Sequence, residues 1–147
     1  NPCNLFVAGF MGSPQMNFLD AEVKINGDEV KLVIAEKYEI TLPPSKAKKL
    51  IDGGYNNRTV TMGIRPEDVK DDEMFISANP NSCITSTVNV YELLGAEVFL
   101  YFDYAGTQVT ARVDPRTTAK QGDHIKFALD MEHAHFFDKE TELVITN

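Results

Sequence analysis

At 147 residues the chain has the length of one domain with its own hydrophobic core, and a second independent core is hard to fit beside it. Fourteen basic against twenty-two acidic residues leave a net charge of -8, which repels phosphate backbones and anionic headgroups and sets nucleic acid aside as a partner. With 43% hydrophobic and 24% charged residues the balance is that of an ordinary globular protein, and no apolar run approaches the roughly 20 residues needed to cross a bilayer.

In chain order, Leu5, Phe6, Val7 and Phe10 make one apolar side of a short helix over Pro2–Met11, stopped by Gly12-Ser13-Pro14. The period then changes to two. Val23 and Ile25 precede Asn26-Gly27-Asp28, and Val30, Leu32 and Ile34 follow it, which predicts a hairpin. Glu39–Leu42 extends as a further strand. Pro43-Pro44-Ser45 then opens a helix over Lys46–Ile51, closed by Gly53-Gly54, the one helix expected inside the domain proper. Lys46, Lys48 and Lys49 read as its solvated side.

Strands are expected at Thr59–Ile64, Met74–Ala78, Ser86–Leu94, Glu97–Tyr104, Gln108–Asp114, His124–Leu129 and Leu143–Ile145. Gly95-Ala96, Ala105-Gly106, Gly122-Asp123 and Asp138-Lys139-Glu140 supply the turns between them. Val98, Leu100 and Phe102 alternate as a strand facing Val109, Ala111 and Val113 should. The acidic run Asp71-Asp72-Glu73 reads as a solvated loop, and Glu67-Asp68 after a proline as a turn or short helical cap. Many short strands joined by tight turns predict a mainly β fold, an OB-fold-like or MOP-like barrel with one or two short helices.

Catalytic patterns are weak. A nucleotide-binding P-loop needs Gly-Lys-Ser or Gly-Lys-Thr, and Gly9, Gly12 and Ser13 imitate its glycines alone. His133 and His135, on an extended strand, would face one side beside Asp130 and Glu132, but no third ligand stands at a convincing spacing and His124 stands alone, so no metal is expected. Cys83 is read as an ordinary thiol at a strand start, and Cys3 and Cys83 as free thiols of a reducing compartment. No catalytic, cofactor-binding or metal-binding residue is assigned. The first residue is Asn and the chain opens in mid-pattern, which reads as a fragment of something longer.

The informative feature is an ordered set of phrases. Phe6-Val7-Ala8-Gly9-Phe10-Met11-Gly12-Ser13-Pro14 with Met16-Asn17-Phe18, then Gly63-Ile64-Arg65-Pro66-Glu67, then Val90-Tyr91-Glu92-Leu93-Leu94-Gly95-Ala96-Glu97, then the tail from Gly122-Asp123 to His135-Phe136-Phe137-Asp138, follow one another along the whole chain. Together they resemble the C-terminal regulatory domain of the ATP-binding subunit of maltose and multiple-sugar ABC importers. The resemblance implies a transport-associated OB domain built from two intertwined barrel-like portions. Residues 1–13 would end a nucleotide-binding domain, and 14–147 would form the regulatory domain.

It implies no ATPase activity in this segment, since ATP and magnesium would be handled in the missing nucleotide-binding domain of a sugar-transporting parent ATPase. The partners it implies are a second copy of the subunit, the transporter membrane subunits through the missing domain, and a cytoplasmic regulator. The location it implies is cytoplasmic, peripheral on the inner face of the membrane. Gly63, Ile64, Arg65, Pro66, Glu67, Glu92, Gly95 and Glu97 become candidate interface or regulator-facing positions, and Gly12, Ser13 and Pro14 a candidate hinge. Oxyanion-importer relatives suggest an alternative, a small-ligand sensing barrel for a sugar or oxyanion. The OB-type barrel alone suggests a third, single-strand binding, against which the charge of -8 weighs.

Overall fold

The computed structural model describes residues 15–146. Cys3, the expected helix over Pro2–Met11 and the candidate hinge Gly12, Ser13 and Pro14 lie outside the described residues. The chain forms two compact units where the sequence suggested one. The first runs to Ile64 and resumes at Met131, and the second, Arg65–Asp130, is inserted between those stretches. Length alone misleads here because each unit closes a small core of its own around its own sheet.

The first unit is a six-stranded sheet in the order β11 (Val144–Thr146), β10 (His135–Asp138), β4 (Thr59–Ile64), β1 (Asn17–Asn26), β2 (Glu29–Ile34), β3 (Tyr38–Thr41). Strand β1 (Asn17–Asn26) buries Leu19, Ala21 and Val23 on one face and turns through Gly27, at a φ of 63°, into β2 (Glu29–Ile34). A positive φ at the first central residue of a two-residue loop is what glycine supplies without a Cβ clash. β3 (Tyr38–Thr41) pairs with β2, and β4 (Thr59–Ile64) pairs antiparallel with β1, Phe18 lying opposite Gly63. β10 (His135–Asp138) lies on the other side of β4 and carries β11 (Val144–Thr146).

Helix α1 (Pro44–Asp52) starts with proline in its first turn, where a missing amide costs no hydrogen bond, and buries Ala47 and Leu50. Gly54 takes a φ of 72° while the Tyr55 amide donates back to the Leu50 carbonyl at 3.1 Å, closing the helix end. Of the three lysines expected on its solvated side, Lys46 is instead buried, at 4% exposure. Burial pushes its ammonium below the ordinary lysine range, and the Glu132 carboxylate partly offsets that.

The second unit is a five-stranded, nearly closed barrel in the order β5 (Val69–Lys70), β9 (His124–Leu129), β6 (Cys83–Leu94), β7 (Glu97–Tyr104), β8 (Thr107–Val113). Helix α2 (Glu73–Ala78) lies between β5 and β6 in the chain. β5 also lies beside β8, which brings the two sheet edges together. The expected facing pairs form as read: Val98 opposite Val113, Leu100 opposite Ala111, Phe102 opposite Val109. Phe102 stacks on Phe127 with ring centroids 4.2 Å apart at the centre of this core.

The mainly β, barrel-type fold is thus the one the sequence predicts, while the second helix inside it is not. Two local readings are corrected. Met74–Ala78 is not a strand but the body of α2, because the Asp72 carboxylate accepts from the Phe75 amide at 3.1 Å and caps a helix there. Accordingly Asp71-Asp72-Glu73 is no free loop: Asp72 is that cap, Glu73 opens the helix, and Asp71 accepts from the Thr117 hydroxyl.

Candidate interface and regulatory site

The Gly63–Glu67 segment divides between the two units, since the first ends at Ile64 and the second begins at Arg65. Gly63 sits in the middle of the first unit's core. A Cβ built on it would lie 2.5 Å from the Met16 sulfur and 3.3 Å from both the Phe18 and Phe137 rings. Its φ is not positive, so the residue is small because side chains close over its backbone. Ile64 is buried at the end of β4.

Arg65 holds an extended ψ of 151°, as a residue before proline must, and Pro66 opens a short 3-10 turn over Pro66–Asp68. The Asp68 amide donates to the Arg65 carbonyl at 2.9 Å. This turn aims Glu67 toward β8, where Arg112 Nη2 lies 4.0 Å from a Glu67 carboxylate oxygen. The other end of the same guanidinium is 3.8 Å from Glu97 at the start of β7. Two residues singled out in separate sequence motifs are therefore joined by a third, Arg112, that neither motif contains.

Around Arg112 lies a shallow concavity lined also by Lys70, Asp71, Asp72, Asp114 and Arg116. The Arg116 Nε–H donates to Asp114 at 3.0 Å and its own amide reinforces the bond at 2.8 Å. These bonds hold the Asp114 carboxyl below the usual carboxylate range and raise the Arg116 guanidinium above its own. Both groups stay charged across neutral pH, so the concavity offers fixed, paired charge suited to binding.

Glu92 stands apart, accepting from the Tyr101 hydroxyl at 2.8 Å across the β6–β7 pair. That bond, with burial second, raises the Tyr101 phenol above its ordinary range. Gly95, at a φ of 63°, makes the two-residue turn between Leu94 and Glu97, and among the described residues beyond its chain neighbours no atom lies within 4 Å of where its Cβ would be. Gly95 is therefore required for backbone conformation, Gly63 for space. Val90, Tyr91, Leu93 and Leu94 on the same hairpin are between 39% and 57% exposed.

The histidines do not converge as an extended strand would have them. His133 ends a 3-10 turn, Met131–His133, and His135 begins β10, so the two-residue alternation is broken between them. His124 lies on β9 with its Nδ1 3.0 Å from the Thr87 hydroxyl. Cys83 does begin a strand, and its half-buried thiol donates to the Asn79 carbonyl at 3.2 Å.

Two family models match along the chain, the MalK OB fold domain over residues 12–69 and the TOBE domain over residues 62–137. The chain belongs to the TOBE domain family. Among curated relatives, the oligosaccharides import ATP-binding protein MsmX of Bacillus subtilis is 40% identical over 144 residues, 98% of this chain and 38% of that protein. The multiple sugar-binding transport ATP-binding protein MsmK of Streptococcus mutans is 37% identical, over 98% of this chain and 37% of that protein. An osmoprotective compounds uptake ATP-binding protein, GgtA of Synechocystis, is also 37% identical over 98% of this chain.

This TOBE chain thus spans under two fifths of the length of the curated relatives it matches. The cytoplasmic molybdate-binding protein ModG shares the fold, with a TM-score of 0.56 over 82% of this chain and 94% of that one, at 15% identity. The relatives are ABC importer ATP-binding proteins, and the family resemblance drawn from the ordered phrases is the one these matches show.

Proposed function

We propose that this chain is the regulatory and dimer-stabilising C-terminal domain of the ATP-hydrolysing subunit of a carbohydrate-importing ABC transporter, and that it hydrolyses no ATP itself. The observation that carries the reading is the pairing of two facts. Of its length, 98% aligns with sugar-import ATP-binding proteins, and the MalK OB fold and TOBE models together match residues 12–137. ATP and magnesium would then bind in the portion of the parent that the alignment leaves uncovered, and that portion would also reach the membrane subunits. The complex would hold the domain on the cytoplasmic side of the membrane.

A rigid, sheet-built domain suits the role physically. Two nucleotide-binding domains that open and close need a base that stays paired while a junction flexes. Gly12, Ser13 and Pro14 are the proposed junction, and the Glu67–Arg112–Glu97 bridge the proposed contact region. The deciding experiment grafts this chain onto the ATP-binding portion of MsmX and measures sugar uptake and ATPase rate. Restored uptake, with no ATPase activity in the isolated chain, is the expected result; a chimera that hydrolyses ATP yet imports nothing defeats the reading. A ligand-sensing barrel draws support from the likeness to ModG, which is one of fold; calorimetry with molybdate and with maltose, showing heat saturating near one equivalent, would favour it.

A further inference from the structure

Strand β6 changes partners half-way along. Cys83–Thr87 pairs with β9, and at Val88 the amide donates to the Asp123 carbonyl at 2.8 Å while the carbonyl accepts from Gly122 at 2.7 Å. The pairing with β7 shifts register between Val88 and Val90, and from there to Leu94 β7 is the only partner of the strand among the described residues. Leu94 and Glu97 flank a two-residue turn and so exchange hydrogen bonds, which assigns the bonds toward β7 to Leu94, Glu92 and Val90. The backbone groups of Tyr91 and Leu93 then point to the other edge, where no backbone group among the described residues meets them.

The side chains of this open edge are unusual too. Six large hydrophobic residues are exposed among those described, and four of them, Val90, Tyr91, Leu93 and Leu94, fall on this short stretch of strand. Scattered exposed apolar residues need no explanation, but a cluster on an unpaired strand marks a place for another strand. Sheet edges are usually blunted by lysine or proline. Here the one charge is Glu92, whose partner is the neutral Tyr101 hydroxyl.

A second copy of the chain fits this edge poorly in the registers that pair Tyr91 with an outward-facing strand residue. Pairing Tyr91 with Leu93 of the copy sets Glu92 opposite Glu92. Pairing Tyr91 with itself drives the Gly95 turn of one copy onto the Gly122–Asp123 segment that already holds Val88 of the other. The net charge of -8 adds repulsion in either case.

We infer that the open edge of β6 from Tyr91 to Leu93 accepts an extended segment of a partner protein as an added antiparallel strand, apolar at alternate positions with a lysine or arginine opposite Glu92. Backbone hydrogen bonds to Tyr91 and Leu93 would supply the docking, the flanking apolar side chains the grip, and Glu92 the choice of partner. The inference rests on the proposed regulatory role for the existence of a partner, and on the edge itself for where that partner sits.

The test titrates the full-length subunit with two fluorescent peptides, acetyl-Ser-Val-Thr-Val-Arg-Val-Thr-Val-Ser-amide and the same sequence with Glu for Arg. The arginine peptide should bind at least tenfold more tightly, and Glu92→Gln should remove that preference. Leu93→Pro deletes only the outward amide, because the Leu93 amide makes no bond to β7, and should weaken binding at least tenfold. Should Leu93→Pro disturb folding, Leu93→Lys at this exposed site should repel the arginine peptide to a similar extent.

Equal binding of both peptides, or full binding by both Leu93 variants, overturns the inference. So does a wild-type dimer in sedimentation that Leu93→Lys dissolves, which would give the edge to a second copy. Binding to the 147-residue chain that is absent in the full-length subunit would give it to another part of the same polypeptide and overturn it equally. A subunit that supports sugar import yet binds neither peptide defeats this inference alone and leaves the proposed function standing.

Discussion

The Gly63 end of β4 and the Gly95 end of β6 are built to opposite requirements. Around Gly63 the Met16 sulfur and the Phe18 and Phe137 rings fill the space a side chain would take, and Phe137 is fully buried. Around Gly95 the space is open and the neighbouring apolar side chains face solvent. A glycine is indispensable at both, but for packing at one and for a turn's dihedral at the other. Interior packing answers to the rest of the fold, whereas an open, apolar hairpin answers to something outside it.

The largest effect expected from breaking this comparison is at Gly63. Each added methyl must displace aromatic rings held in a close-packed core, so Gly63→Ala should be destabilising and Gly63→Val more so, by about 3 kcal/mol at the upper end of overpacking costs. Urea midpoints at constant m would show the graded loss. A Gly63→Val protein as stable as the parent would mean that Met16 and the two rings yield freely, and that the segment is kept for contact with a partner instead.

Next comes the tail of the same unit. Asp138 accepts from the Thr141 amide at 3.0 Å, from the Tyr55 hydroxyl at 2.8 Å and from the Glu140 amide at 2.9 Å, and Arg58 lies 3.7 Å away. Those bonds, the Thr141 amide foremost, hold its carboxyl below the usual range. A depressed carboxylate contributes stability that is complete above the unfolded value of about 3.9 and is lost as pH falls through the lower folded value. Asp138→Asn should therefore flatten the acid limb of the stability profile below about pH 4. An acid limb of unchanged slope in thermal melts between pH 2 and 6 would refute that.

Much of this contrast was legible in the sequence, and what was not has identifiable causes. β4 and β7 are legible with their full bounds because each is framed by turn residues, β4 alternating through Val60, Met62 and Ile64 and β7 apolar from Val98 to Phe102. α2 escapes the sequence pattern because none of its residues is buried, which leaves no helical period to see, although Asp72 three residues before Phe75 is a cap signal. β10 was not separated from its surroundings because Phe136 and Phe137 are both buried at a register shift, so the alternation fails where it would have been diagnostic. Lys46 is buried against its residue type, and nothing in the local pattern announces that. Arg112 was invisible for another reason: its link to Glu67 and Glu97 depends on a β7–β8 register that places it opposite Phe99.

At Gly95 the cost should be one of backbone alone. Forcing an L-residue into a conformation that only glycine takes easily costs about 2 kcal/mol, so Gly95→Ala should lose about that much. Because no atom of the described residues beyond its chain neighbours lies within 4 Å, Gly95→Leu, which adds bulk without branching at Cβ, should cost little more. The ratio of the alanine loss to that of the larger residue is then the sharpest separation of the two glycines, steep at position 63 and flat at 95. Equal ratios, read from the same urea series, would remove the distinction between a packing glycine and a turn glycine.

The smallest effect belongs to Arg112. Its two pairs lie at 3.8 and 4.0 Å, with about a third of its side chain exposed, and partly solvated pairs at such distances are worth about 0.5 kcal/mol together. Arg112→Met keeps the aliphatic cover over β8 and removes the charge, so its loss of stability should be near that value and should vanish in 1 M salt, where screening acts within about 3 Å. If the bridge exists to present charge to another protein, the same substitution should leave melting almost untouched while lowering sugar uptake in the chimera with MsmX. Stability and transport would then part company at Arg112, as they could not at Gly63, where any loss of transport should follow the loss of fold.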